Sequence, residues 1–198
     1  MKIINKIVSD LKEFVDFFKI KYKYDQRGVL KRYRLKSGLN KKLKDDIWYD
    51  LFLEKAAYNY CAKFLLIKFF EDTGRIGSKI NKSGLEKWHD LVTNIGAQYG
   101  NLYKLAESDM VELEEMRIPF KKVDYDIYEI DDELAEFMIE KLKEYDFKTF
   151  SYQTLYKIFT SMYLNDKRQG PSLQYFYKPA NAIEYILDIK NHEENLVQ

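Results

Sequence analysis

The chain has 198 residues, 46% hydrophobic and 33% charged, with a formal net charge of +1. That length supports one domain with a sizeable core, and the near-neutral balance excludes a uniform polycation. Three prolines and eight glycines leave few chain breakers, which favours long helices over a turn-rich β fold, and a single cysteine excludes an internal disulfide framework.

Ile3, Ile4, Ile7, Val8, Leu11, Phe14, Val15 and Phe18 recur at three- and four-residue steps. This predicts an amphipathic N-terminal helix that packs one stripe on the core. The opening residues lack a continuous apolar segment and a small-residue cleavage site, so they do not read as a secretory signal. A cytoplasmic, reducing setting is expected.

The tract from 19 to 44 is strongly basic. It carries Lys19, Lys21, Lys23, Arg27, Lys31, Arg32, Arg34, Lys36, Lys41, Lys42 and Lys44 against one acid, Asp25. With Gly28 and Gly38 it reads as a loop or short strands. Bases interleaved with Tyr22, Tyr24 and Tyr33 suit a phosphate backbone and stacked bases, so Arg27, Lys31, Arg32, Arg34, Lys36, Lys41 and Lys42 are the candidate nucleic-acid contacts. The plainer alternative is a solvated basic face.

Asp45 and Asp46 open a helix at its positive end. Ile47, Trp48, Leu51 and Phe52 continue it, with a break expected near Lys55. Residues 56–72 form the longest apolar run, interrupted by Lys63 and Lys68. A helix apolar almost all round belongs at the centre of a bundle, and these charges argue against a membrane span. Phe64, Leu65, Phe69 and Phe70 are expected to be inaccessible. Gly74 supplies the left-handed stop. Cys61, inside the run, reads as a small buried hydrophobe.

Further helices are expected from Leu85 to Ile95, from Leu102 to Met116, after the acidic start Asp131-Asp132-Glu133, after a Ser151 cap, and around Ala182 to Leu187 with Pro179 in the first turn. Gly96 and Gly100 mark a break. Residues 117–130 read as an extended connector or short edge strand. Residues 165–174 read as a polar loop and 191–198 as a frayed tail. The expected fold is therefore all-α: a multi-helix bundle around the buried helix at about 56–72, forming one domain over 1–190.

No phosphate loop, dinucleotide fingerprint, zincin motif or Cys/His metal cluster is present in the sequence. His89 and His192 have no neighbours that suggest a catalytic triad or a ligand set. Residues 107–146 contain 15 acids and 5 bases, which read as a solvated face and helix starts.

Three stretches together resemble the N-terminal helical region of adenine-specific (N6) DNA methyltransferases of restriction-modification and related phage-defence systems. AYNYCAKFLLIKFFEDTG (57–74) is similar to that family's helix N-R-L-L-F-L-R-F-L-E-D-R-G through Asn59, Leu65, Phe69, Glu71, Asp72 and Gly74. YDFKTFSYQTLYKIFTSMYLNDKRQ (145–169) resembles Y-D-F … D-x-L-G-x-I-Y-E … L … R, with Leu155-Tyr156 at the Leu-Gly step and Thr160 at the Glu. LQYFYKPANAIEYILD (173–188) resembles G-x-F-Y-T-P-x-x-I-V-x-x-I, with Lys178 where the family has threonine.

The resemblance implies that Tyr177, Lys178 and Pro179 lie at the periphery of an S-adenosylmethionine pocket. It implies as partners DNA and a methyltransferase catalytic domain or specificity subunit, with no membrane. The family's glycine-rich cofactor motif and Asn-Pro-Pro-Tyr catalytic motif are missing from this sequence. The chain is thus expected to have no catalytic residue and no cofactor of its own, and to be a fragment, a split-gene half or a remnant. The alternative is a stand-alone helical protein-interaction adaptor.

Overall fold

The computed structural model describes residues 2–24, 28–38, 41–92, 98–123, 126–163 and 182–188. Arg27, Tyr177, Lys178, Pro179, the Gly96 break, the 165–174 loop and the 191–198 tail lie outside them. The elements in order are α1 (Lys2–Lys23), α2 (Val29–Ser37), α3 (Asp45–Asp72), α4 (Lys82–Val92), α5 (Tyr99–Glu112), a 3-10 turn (Glu114–Met116), α6 (Asp132–Leu142), α7 (Tyr152–Tyr163) and α8 (Ala182–Leu187). The fold is an all-α bundle, and no strand occurs among the described residues. The described residues of 117–130, which are 117–123 and 126–130, are turns and irregular backbone with no edge strand among them.

The axis of the bundle is α3, 28 residues long and about 42 Å end to end at the helical rise. Every residue from Phe52 to Glu71 is buried. Helices α1, α5, α7 and α8 pack around it, while α6 lies against α1 and α5. Phe64, Leu65 and Phe70 are fully inaccessible and Phe69 nearly so. The expected break near Lys55 does not occur. Nothing between residues 45 and 72 is glycine or proline, and the aliphatic stem of Lys55 lies wholly inside the core. Burial pulls the Lys55 ammonium down to about 8, against the attraction of the Glu184 carboxylate on α8.

On α1 the inward stripe is Ile7, Leu11, Phe14, Val15 and Phe18, with the Phe14 ring edge-on to Phe64 at 5.9 Å. Ile3, in the first turn, is 45% exposed. Cys61 is buried, donating its thiol to the Leu11 carbonyl at 3.7 Å, and burial pushes the thiol up.

The helix ends follow local rules. At the end of α3, Gly74 N–H donates to the Glu71 carbonyl and Arg75 N–H to the Phe70 carbonyl, with Gly74 at φ 75°. This is the paired closing motif of a left-handed helix stop. Asp131 caps α6 by accepting from Leu134 N–H at 3.1 Å, and Ser151 Oγ accepts from Thr154 N–H at 3.3 Å before α7.

Two boundaries differ from expectation. Among its described residues the tract 19–44 is mostly helical: α1 runs on to Lys23, and α2 occupies 29–37 between Gly28 and Gly38, both at positive φ. The glycines bracket a helix instead of marking a loop. Gly100, expected to break the chain, lies in the first turn of α5.

Gly84, in the first turn of α4, is fixed by close approach. A Cβ there would sit 2.3 Å from the Lys79 backbone nitrogen. Gly84→Ala is expected to cost about 3 kcal/mol or more through overpacking against backbone. Gly74→Ala, which has open space around it, is expected to cost about 1–2 kcal/mol from the left-handed conformation alone. Urea denaturation of the two variants checks the order.

Candidate nucleic-acid interface and the buried charge clusters

Helix α2 divides its residues cleanly. Leu30 is buried, and Tyr33 turns inward, its ring 5.1 Å from Phe52. Lys31, Arg32, Leu35 and Lys36 share the opposite face and are exposed. Lys41 and Lys42 follow in an exposed turn. The Arg32 and Lys41 side chains lie near the two ends of α2, Arg32 Nη1 at 3.7 Å from where a Cβ on Gly28 would stand and Lys41 Cε at 3.4 Å from one on Gly38. The cationic surface therefore runs the length of α2, about 14 Å at the helical rise.

The structure does not bring every predicted residue to this surface. The Arg34 side chain is only 11% exposed. Its guanidinium donates to the Asp45 carboxylate and the Leu43 carbonyl and lies 5.5 Å over the Trp48 ring. Lys19 pairs with Asp50 and Glu54, and Lys21 with Asp131 and Glu133. Tyr22 stacks on Tyr128 at 4.1 Å. Of the three interleaved tyrosines Tyr24 is the exposed one, at 79%.

A second polar centre went unnoticed in the sequence. A cleft of about 450 Å3 is lined by Tyr60, Tyr103 and Phe120 together with Lys63, Glu107 and Asp126. Lys63 is 3% exposed and donates to Glu107 at 2.8 Å and Asp126 at 3.5 Å. Its ammonium also sits over the Tyr60 and Phe120 rings, at 5.5 and 5.8 Å. Asp126 takes further hydrogen bonds from Asn59 Nδ2 and Val123 N–H, both at 3.2 Å. Burial pushes the Tyr60 and Tyr103 hydroxyls far up. The signal was a lysine in an apolar run, but its partners lie 44 and 63 residues away.

A third centre closes the C-terminal end of α3. Both Glu71 oxygens accept backbone N–H groups, from Ile80 at 3.0 Å and Asn81 at 2.8 Å. Asp72 accepts Phe147 N–H at 2.9 Å and pairs with the buried Lys68, whose ammonium lies 5.3 Å over the Phe147 ring.

Burial pushes the Glu71 carboxyl up to about 7, against N–H donors that favour its ionised form. The folded chain thus holds a proton that the unfolded chain has released. That stability is complete below the ordinary value of 4.5 and is lost as pH rises through about 7. Glu71→Gln is expected to flatten the stability–pH curve across this window. Glu71→Ala is expected to cost about 2–4 kcal/mol below the ordinary value of 4.5, because it strands two buried donors, and less as pH rises through about 7. Chemical denaturation at several pH values reads both.

Among the described residues no group of three or more His, Cys, Asp or Glu could hold a metal ion. His89 Nε2 lies 3.2 Å from the Tyr99 hydroxyl, which donates to Glu140. That chain holds no nucleophile beside the ring. No helix among the described residues is long and apolar enough to cross a membrane. Comparison with protein-family models, curated proteins and solved structures finds no match to this chain. The functional reading therefore stands on the residues themselves.

Proposed function

We propose that the chain is the N-terminal helical, DNA- and partner-contacting region of an S-adenosylmethionine-dependent, adenine-specific DNA methyltransferase of a restriction-modification or related phage-defence system. One observation carries this reading: the three stretches that resemble that family, the first well separated in sequence from the other two, pack on one another. The Asp72 carboxylate of FFEDTG holds the Phe147 N–H of YDF. Phe69 of the same stretch lies 5.1 Å from Tyr152, which opens α7. From the third stretch, Ala182, Ile183 and Ile186 are fully buried, and α8 packs against α3 and α7.

In this reading α2 and the following turn contact phosphates, and α8 leads toward the cofactor-binding strand. The chain has no catalytic residue of its own. A flipped adenine needs an Asn-Pro-Pro-Tyr pocket, which a partner domain or polypeptide supplies together with the cofactor site. Methyl transfer from labelled S-adenosylmethionine to duplex DNA tests this. The chain is produced with the polypeptide encoded beside it in the genome, and again with α8 deleted from the pair. Activity on adenine that needs α8 supports the proposal. A neighbouring reading frame without a glycine-rich turn and Asn-Pro-Pro-Tyr, and a pair without activity, overturn it in favour of a helical adaptor.

A further inference from the structure

The cationic surface has two halves, the outer face of α2 and the turn bearing Lys41 and Lys42. Helix α2 rests on the core through buried Leu30 and half-buried Tyr33, and Arg34 adds a polar hold to this short packed face. Arg34 makes contacts that join the halves. Its carbonyl accepts from Gly38 N–H at 3.1 Å and from Ser37 Oγ at 3.2 Å, closing the helix. Its guanidinium reaches across to the Leu43 carbonyl, which ends the turn, and to Asp45, which opens α3. The plane rests on Trp48, which is itself fully buried and stacked on Phe52 at 4.9 Å. A planar fork with two fixed acceptors and an aromatic floor holds one orientation, which a lysine could not reproduce.

We infer that this Arg34–Asp45 clasp sets the register between the two halves of the cationic surface, making Asp45 a positioning residue for binding the phosphate backbone of duplex DNA. The inference rests on the phosphate-contact reading of α2. Its consequence runs against simple charge counting. Asp45 is 70% exposed beside the cationic face, so its negative charge alone would repel phosphates and its removal would tighten binding. Through the clasp, its removal weakens binding instead.

Fluorescence anisotropy of a labelled duplex over a salt series tests this on the full chain. Asp45→Ala is expected to weaken binding by about five- to tenfold at fixed salt. It is also expected to lower the salt slope by about 2 as Lys41 and Lys42 leave register. Arg34→Ala should match it, the double variant should be no weaker than either single one, and Asp45→Glu should restore affinity. If Asp45→Ala does not fold, Asp45→Asn keeps an acceptor at the helix start and is expected to weaken binding by about two- to threefold. Unchanged or tighter binding by the Asp45 variant overturns the clasp and leaves the phosphate-contact reading standing. A native chain with no salt-dependent affinity overturns that reading, and the inference with it.

Discussion

Lys63→Met is expected to destabilise the fold by about 3–5 kcal/mol, the cost of leaving buried carboxylates without their cation. Asp126 is 3% exposed and Lys63 equally so, which leaves water little part in compensating the loss. The ammonium is held by two carboxylates and two aromatic rings, so its removal strands several partners at once. For a chain of this size the melting temperature should fall by roughly 10 °C, which thermal denaturation followed by circular dichroism reads directly. Lys104→Ala, at the rim of the same cleft, is the control. Its pair with Glu129 spans 3.5 Å between side chains that are 58% and 66% exposed, so the change should stay within about 0.5 kcal/mol. Equal effects at the two lysines would refute the buried-cluster account. Asp126→Ala should cost a similar amount to Lys63→Met, and the double variant less than the sum, because the two groups share one network.

The second large effect concerns DNA. Five exposed cations, Lys31, Arg32, Lys36, Lys41 and Lys42, give an expected slope of about −4.5 for log affinity against log salt on duplex DNA. Between about 50 and 200 mM salt, affinity should therefore fall by roughly several hundredfold. Changing all five to alanine should abolish specific salt dependence, and each single change should lower the slope by about 0.9. Arg34→Ala should stand apart, with a loss of helical signal from α2 that the surface variants lack. An affinity that ignores salt, or survives the five changes, would remove α2 as the contact surface.

Much of the fold is legible in the sequence, for local reasons. The α1 stripe is written in apolar spacing, and Asp131, Ser151 and Gly74 act within three or four residues of themselves. The centrality of α3 follows from a run of residues with no polar face. The α2 helix was missed because its glycines fit a loop as well as a pair of helix boundaries. Only the inward placement of Leu30 and Tyr33 distinguishes the two readings. The surface role of the basic tract was legible as charge, but its division was not. Arg34 and Lys36 are alike in sequence, yet one is folded against Trp48 and the other faces water.

The sequence by itself determined the class of fold, the buried helix and the sign of the candidate surface, because periodicity, capping and charge are properties of neighbouring residues. The tertiary structure alone decided the partners of Lys63, the anchoring of Asp72 to Phe147 and the engagement of Arg34. Each joins groups brought together by packing, and such pairs depend on where separate segments of the chain meet.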